Sequence, residues 1–61
     1  MYALKTNSKT LGAVYYMNVI MVTPDAESAA HFKTEADAQK EVEHFRALFH
    51  YEDITPEIVK I

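Results

Sequence analysis

The chain has 61 residues, 49% of them hydrophobic and 25% charged, with no cysteine and a formal net charge of −3. That length limits it to one domain, 1–61, that buries only about 60% of its unfolded surface, and the apolar content excludes intrinsic disorder. The lack of cysteine excludes disulfides and thiolate zinc sites, the usual staples of a domain this small, and leaves self-association as the remaining one.

Tyr2 to Thr6 sets Tyr2 and Leu4 on one side and Ala3 and Lys5 on the other, the two-residue period of a strand. Asn7, Ser8, Lys9 and Thr10 supply turn residues, so a hairpin is expected. The second strand begins near Leu11, with Gly12 as a bulge or close approach, and runs through Ala13, Val14, Tyr15 and Tyr16. Continued as one strand, it would place Val14, Tyr16, Asn18, Ile20 and Val22 on one face and Ala13, Tyr15, Met17, Val19 and Met21 on the other. Both faces would be apolar. Either the chain turns near Met17 and Asn18 into another strand, or one long strand carries a second apolar face that needs a cover.

Thr23-Pro24-Asp25-Ala26-Glu27 reads as a helix start, with Thr23 at the N-cap and Pro24 at the first helical position. Thr34 caps a second and longer helix, with Glu35 and Asp37 in its first turn. Along it Ala38, Val42, Phe45 and Phe49 recur at spacings of four, three and four, one apolar stripe directed at the sheet. In the last segment Glu57, Val59 and Ile61 oppose Ile58 and Lys60, with Pro56 confined to the strand's start. The fold class is therefore α+β: a small antiparallel sheet of about three strands in β-β-α-β order, one main helix on one face and a short helical turn before it. The C-terminal strand is expected beside the first and antiparallel to it, and the second sheet face is expected to stay bare.

Charge divides along the chain. Residues 1–24 hold Lys5 and Lys9 and no carboxylate, whereas residues 25–61 hold nine carboxylates against four cations. The acidic total opposes nonspecific binding to phosphate backbones. The longest apolar run, Ala13 to Val22, is interrupted by Asn18 and spans about half the roughly 20 residues of a membrane helix. Without a basic leader or a cleavage site, the chain is expected in the cytoplasm and away from membranes.

Catalytic chemistry finds little to use. His44 and His50 are six apart, about 240° around a helix, where a helical metal pair needs three or four, and His31 lies far off in sequence. Ser8 and Ser28 lack a nucleophile-elbow context. The carboxylate pairs Asp25 and Glu27, Glu41 and Glu43, and Glu52 and Asp53 read as caps or solvated faces. Gly12 is the only glycine, which excludes glycine-rich phosphate loops. No enzyme activity, metal or cofactor is expected.

Binding residues are more evident. Tyr15, Met17, Val19 and Met21 form the expected interface, because tyrosine and methionine are adaptable groups enriched where proteins meet. A single helix covers one sheet face, so this surface is expected to close on a second copy, as a homodimer, or on another protein. Two alternatives stand beside that reading. Lys5, Lys9, Tyr15 and Tyr16 could stack and neutralise single-stranded nucleic acid, and a dimer interface could enclose a small molecule.

Residues Ala29-Ala30-His31-Phe32-Lys33-Thr34-Glu35-Ala36-Asp37-Ala38 carry a likeness, covering 1–6 and 29–45, by which the chain resembles short α+β accessory proteins of phages and prophages of Gram-positive bacteria. That resemblance implies an accessory product, often an inhibitor or modulator of a host enzyme or defence nuclease. It transfers no functional residue.

Overall fold

The structure, a computed structural model, describes all 61 residues. Four strands, β1 Tyr2–Ser8, β2 Gly12–Asn18, β3 Met21–Thr23 and β4 Glu57–Lys60, form one antiparallel sheet in the order β3-β2-β1-β4. Two short helices, α1 Glu35–Gln39 and α2 Val42–Ala47, cross one face, and a single 3-10 turn, Ala26–Ser28, precedes them. The class is the expected α+β, with one strand more than the three anticipated, because the apolar run does turn back after Asn18.

The β1–β2 connection is built around Ser8. Its buried hydroxyl accepts the N–H groups of Thr10 and Leu11, each at 3.2 Å, and donates to Glu52 Oε2 at 3.0 Å. The other Glu52 oxygen accepts the Lys9 N–H, so a carboxylate leaving α2 ties down the hairpin. Gly12 re-enters the sheet at φ 77°, a left-handed conformation that side chains resist. Nothing lies within 4 Å of where a Cβ would stand, so glycine is needed there for its backbone and not for space.

The β2–β3 turn is held by Asn18, whose Oδ1 accepts the Ile20 N–H at 2.9 Å. Pairing slips between Tyr16 and Asn18, where Tyr16 faces Val22 but Asn18 faces Met21, and this bulge swings the end of β2 away from β1. The β1–β2 ladder accordingly stops at Lys5 opposite Tyr15. The chain segment after the 3-10 turn fills the gap: Ala30 N–H donates to Tyr16 O at 3.0 Å, and Tyr2 and Phe32 exchange two bonds of 2.8 Å.

Thr23 does not cap a helix. Pro24 disfavours helical geometry in the residue before it, so Thr23 stays in β3 and its Oγ1 accepts the Asp25 N–H at 3.1 Å. Asp25 is the cap instead, taking the Glu27 N–H and the Ser28 hydroxyl on its two oxygens. Thr34 caps α1 as expected, accepting the Asp37 N–H at 3.1 Å. The helical run tightens at Glu41, whose N–H reaches Ala38 O at 3.0 Å, and continues beyond it, so α1 and α2 together make the one main helix that was expected.

The stripe Ala38, Val42, Phe45 and Phe49 is buried against Leu4, Val14, Tyr16 and Ile54. Tyr16 tilts onto Phe45 at 5.6 Å between ring centroids, and Phe45 meets Phe49 edge-on at 6.0 Å. β4 lies antiparallel to β1, Tyr2 opposite Lys60 and Lys5 opposite Glu57, and turns Ile58 to this core. Thr6 sits between Leu4 and Ser8 on the same face, 3% exposed, and its hydroxyl has no hydrogen-bond partner.

Candidate functional site

Alternation along the strands assigns the second face. Lys5, Tyr15, Thr23 and Glu57 stand level across all four strands on the side away from the helices. This face is only partly bare, contrary to expectation. Ala3 belongs to it yet is fully buried, because the segment around the 3-10 turn covers the start of β1, where Ala26 and His31 come together with Met1 and Ile61. What stays open is the part around Tyr15, Met17, Lys5 and Met21.

The four expected interface residues lie close together, though not on one straight strand. Tyr15 and Met17 are half-buried on β2, Val19 is 58% exposed in the turn, and Met21 is 49% exposed at the start of β3. Sequence reasoning missed their most prominent neighbour. Ile20, placed on one face with Val14 and Tyr16 on the one-strand reading, is 77% exposed at the tip of the β2–β3 hairpin. Asn18 carried the signal, since an Asn side chain readily caps the N–H two residues on and reverses the chain.

The nucleic-acid set is not brought together. Tyr16 is removed from it by burial, 2% exposed beneath Phe45. Burial, and after it the Glu41 carboxylate, raise the pKa of the Tyr16 hydroxyl above its usual value. Lys9 stands at the β1–β2 turn, the opposite end of the strands from Met17 and Met21. Lys5 and Tyr15 alone meet, with Nζ 6.0 Å from the ring centroid, at the outer range of a cation–π contact. Lys5 also stands opposite Glu57 without closing an ion pair to it.

The histidines occupy three separate places. His31 Nε2 donates to Ala26 O at 3.0 Å, His44 Nδ1 meets Glu41 Oε2 at 2.5 Å, and His50 lies edge-on to Tyr51. No three His, Asp or Glu side chains converge in a metal-binding arrangement. The buried polar residues are Thr6, Ser8 and Thr23, with no charged side chain among them. No helix is long and apolar enough to cross a membrane.

Exposed apolar residues are unevenly distributed. Of the seven large ones, Leu11 and Tyr51 lie near the β1–β2 turn, while Met1, Val19, Ile20, Met21 and Ile61 lie at the other end of the sheet. Antiparallel pairing puts them there, because the start of β1, the end of β2, the start of β3 and the end of β4 coincide. Comparison with known proteins finds no matching family, no matching curated protein and no matching solved structure.

Proposed function

We propose that this chain is a non-catalytic, cytoplasmic protein-binding module that pairs with a second copy of itself and occludes a surface on a larger host protein. The observation that carries the reading is the concentration of exposed Met1, Val19, Ile20, Met21 and Ile61 at one end of the sheet, continuous with half-buried Tyr15 and Met17. Solvent-exposed apolar side chains gathered in one patch, on a chain otherwise rich in surface charge, mark a contact surface. Absence of cysteine accords with a reducing compartment. The likeness of residues 1–6 and 29–45 to phage accessory proteins motivates a host enzyme or defence nuclease as the larger partner.

The test is affinity capture from a lysate of the source organism with the intact chain and with Met21→Asp, a substitution at an exposed position. Proteins retained by the intact chain and lost with the folded variant support the reading. Equal retention by both, or none by either, overturns it.

Single-stranded nucleic-acid binding keeps one supporting observation, the Lys5 ammonium beside the Tyr15 ring. With Tyr16 in the core and Glu57 opposite Lys5, it ranks second. It requires binding to labelled oligonucleotides that weakens steeply with salt; no binding at low salt removes it.

A further inference from the structure

Antiparallel pairing decides where the backbone of β4 points. Met1 and Ile61 exchange bonds, the Ile61 N–H to Met1 O at 2.9 Å and the Met1 amine to Ile61 O at 3.3 Å, whereas Tyr2, opposite Lys60, turns both its groups the other way, to Phe32. Bonded and non-bonded pairs alternate along an antiparallel ladder. Val59 and Glu57 therefore bond to Ala3 and Lys5, and the N–H and C=O of Ile58 and Lys60 point away from the sheet. β4 is an edge of the β3-β2-β1-β4 order, and no turn or cap bond reaches those outward groups. Groups aimed in this way are met in full by another strand. On the face away from the helices the edge is apolar, with Val59 half-buried, Ile61 46% exposed and Met1, opposite Ile61, 55% exposed.

We propose that the strand which pairs with this edge is β4 of a second copy, antiparallel and in a single register. A two-fold axis that joins two such edges stands perpendicular to the sheet, so both copies keep their helices on the same side and only residues of like parity face each other. Centred on Val59, the pairing sets Ile58 opposite Lys60 of the second copy, and the two exchange both bonds on each side of the axis. No outward group is left over. Centred on Ile58, it would set Lys60 against Pro56, which has no N–H, and strand the Lys60 carbonyl. Centred on Lys60, it would leave Ile58 facing nothing in β4. The side chains agree with the Val59 register: Val59 meets its own copy, Ile61 lies along the aliphatic stem of Glu57, and on the helix face the Lys60 stem covers Ile58. Pro56 and the shortness of the strand, devices that keep edges from open-ended pairing, confine the contact to one closed pair. This contact goes beyond the self-association read above, because it uses other atoms and leaves Tyr15, Met17 and Met21 open.

Backbone amide exchange across a concentration series, with sedimentation in parallel, tests this on the unaltered chain. The Ile58 and Lys60 N–H groups are open in the monomer, and where nine-tenths of the chain is dimeric their exchange slows about tenfold. The Val59 N–H, bonded to Ala3, is protected at every concentration. Lys60→Pro removes an outward donor and no internal bond, so it folds and its dimer weakens about tenfold or more. Val59→Asp and Val59→Lys each oppose like charges across the axis and stay monomeric alone, and the two form a heterodimer when mixed. Circular dichroism melts check that each variant folds, and the wild-type exchange and Lys60→Pro decide the matter should the Val59 variants unfold. Self-association with Ile58 and Lys60 exchange unchanged overturns edge pairing and leaves closure through the apolar end standing. Protection that appears only when a captured host protein is present gives the edge to that protein and overturns the second copy as its occupant. Folded Val59 variants that fail to pair on mixing overturn the register. A wild-type chain that stays monomeric throughout overturns both self-contacts.

Discussion

Replacing Thr6 by Val is predicted to stabilise the fold. Thr6 lies on the core face of β1, opposite Val14 and between Leu4 and Ser8, and is 3% exposed. Its Oγ1 has no hydrogen-bond partner. Burying a hydroxyl without compensation costs about 1–3 kcal/mol. Valine has nearly the same shape, removes that cost and adds a methyl to a surface already packed. The net gain is expected at about 1–2 kcal/mol, allowing for adjustment of neighbours that have packed against an oxygen. In a domain of this size each kcal/mol moves Tm by about 4–8 °C, so Thr6→Val should melt roughly 5–15 °C higher by circular dichroism. Thr6→Ser, which keeps the hydroxyl and loses the buried methyl, should melt lower than wild type. If Thr6→Val melts at or below the wild-type temperature, the hydroxyl is making an interaction that stabilises the fold and the reasoning is refuted.

Gly12→Ala forces a side chain into φ 77° and should cost about 1–2 kcal/mol, read as a lower urea midpoint at unchanged m-value; no change would mean the chain reaches β2 by another backbone path. Glu52→Ala removes the acceptor shared by Ser8 Oγ and the Lys9 N–H and should cost about 1–2 kcal/mol, with faster amide exchange at Lys9 to Leu11; unchanged exchange there would show that Ser8 alone holds the turn. The raised pKa of Tyr16, caused by burial and then by Glu41, sets a pH dependence. The folded state holds this proton more tightly than the unfolded chain, so its contribution is fully present below the ordinary tyrosine pKa of about 10 and is lost as pH rises through the folded value. Urea midpoints should fall above about pH 10 and fall less steeply in Tyr16→Phe; equal slopes would contradict the assignment.

The helix stripe was legible in the sequence because Ala38, Val42, Phe45 and Phe49 repeat at the spacing of a helix with one buried face, and Thr34 offered its cap. The pairing of β4 with β1 was legible too, since a helix returning across a hairpin delivers the chain to that edge. The β2–β3 turn was open in the sequence. An apolar run broken only by Asn18 fits one strand with two apolar faces as well as two strands joined by a turn, and a local bond, the Ile20 amide to Asn18 Oδ1, decides between them. Thr23 and Pro24 misled for a related reason: the same residues that open a helix also end a strand, and the proline's restriction of the preceding residue favoured the strand. Of the site, Tyr15, Met17, Val19 and Met21 were found by their type. Ile20, Met1, Ala26 and Ile61 were not, because their association depends on which strand ends coincide, and that follows from the register rather than from any local pattern.

All three methionines of the chain, Met1, Met17 and Met21, fall on the proposed contact surface, so their methyl groups report on it directly. Methyl-labelled methionine NMR, recorded across a concentration series with a soluble paramagnetic probe, follows that surface without altering a residue. The account predicts that the Met1 and Met21 signals shift with concentration and become shielded from the probe as the surface closes on a second copy. Signals that stay fixed and fully broadened by the probe at every concentration would contradict it.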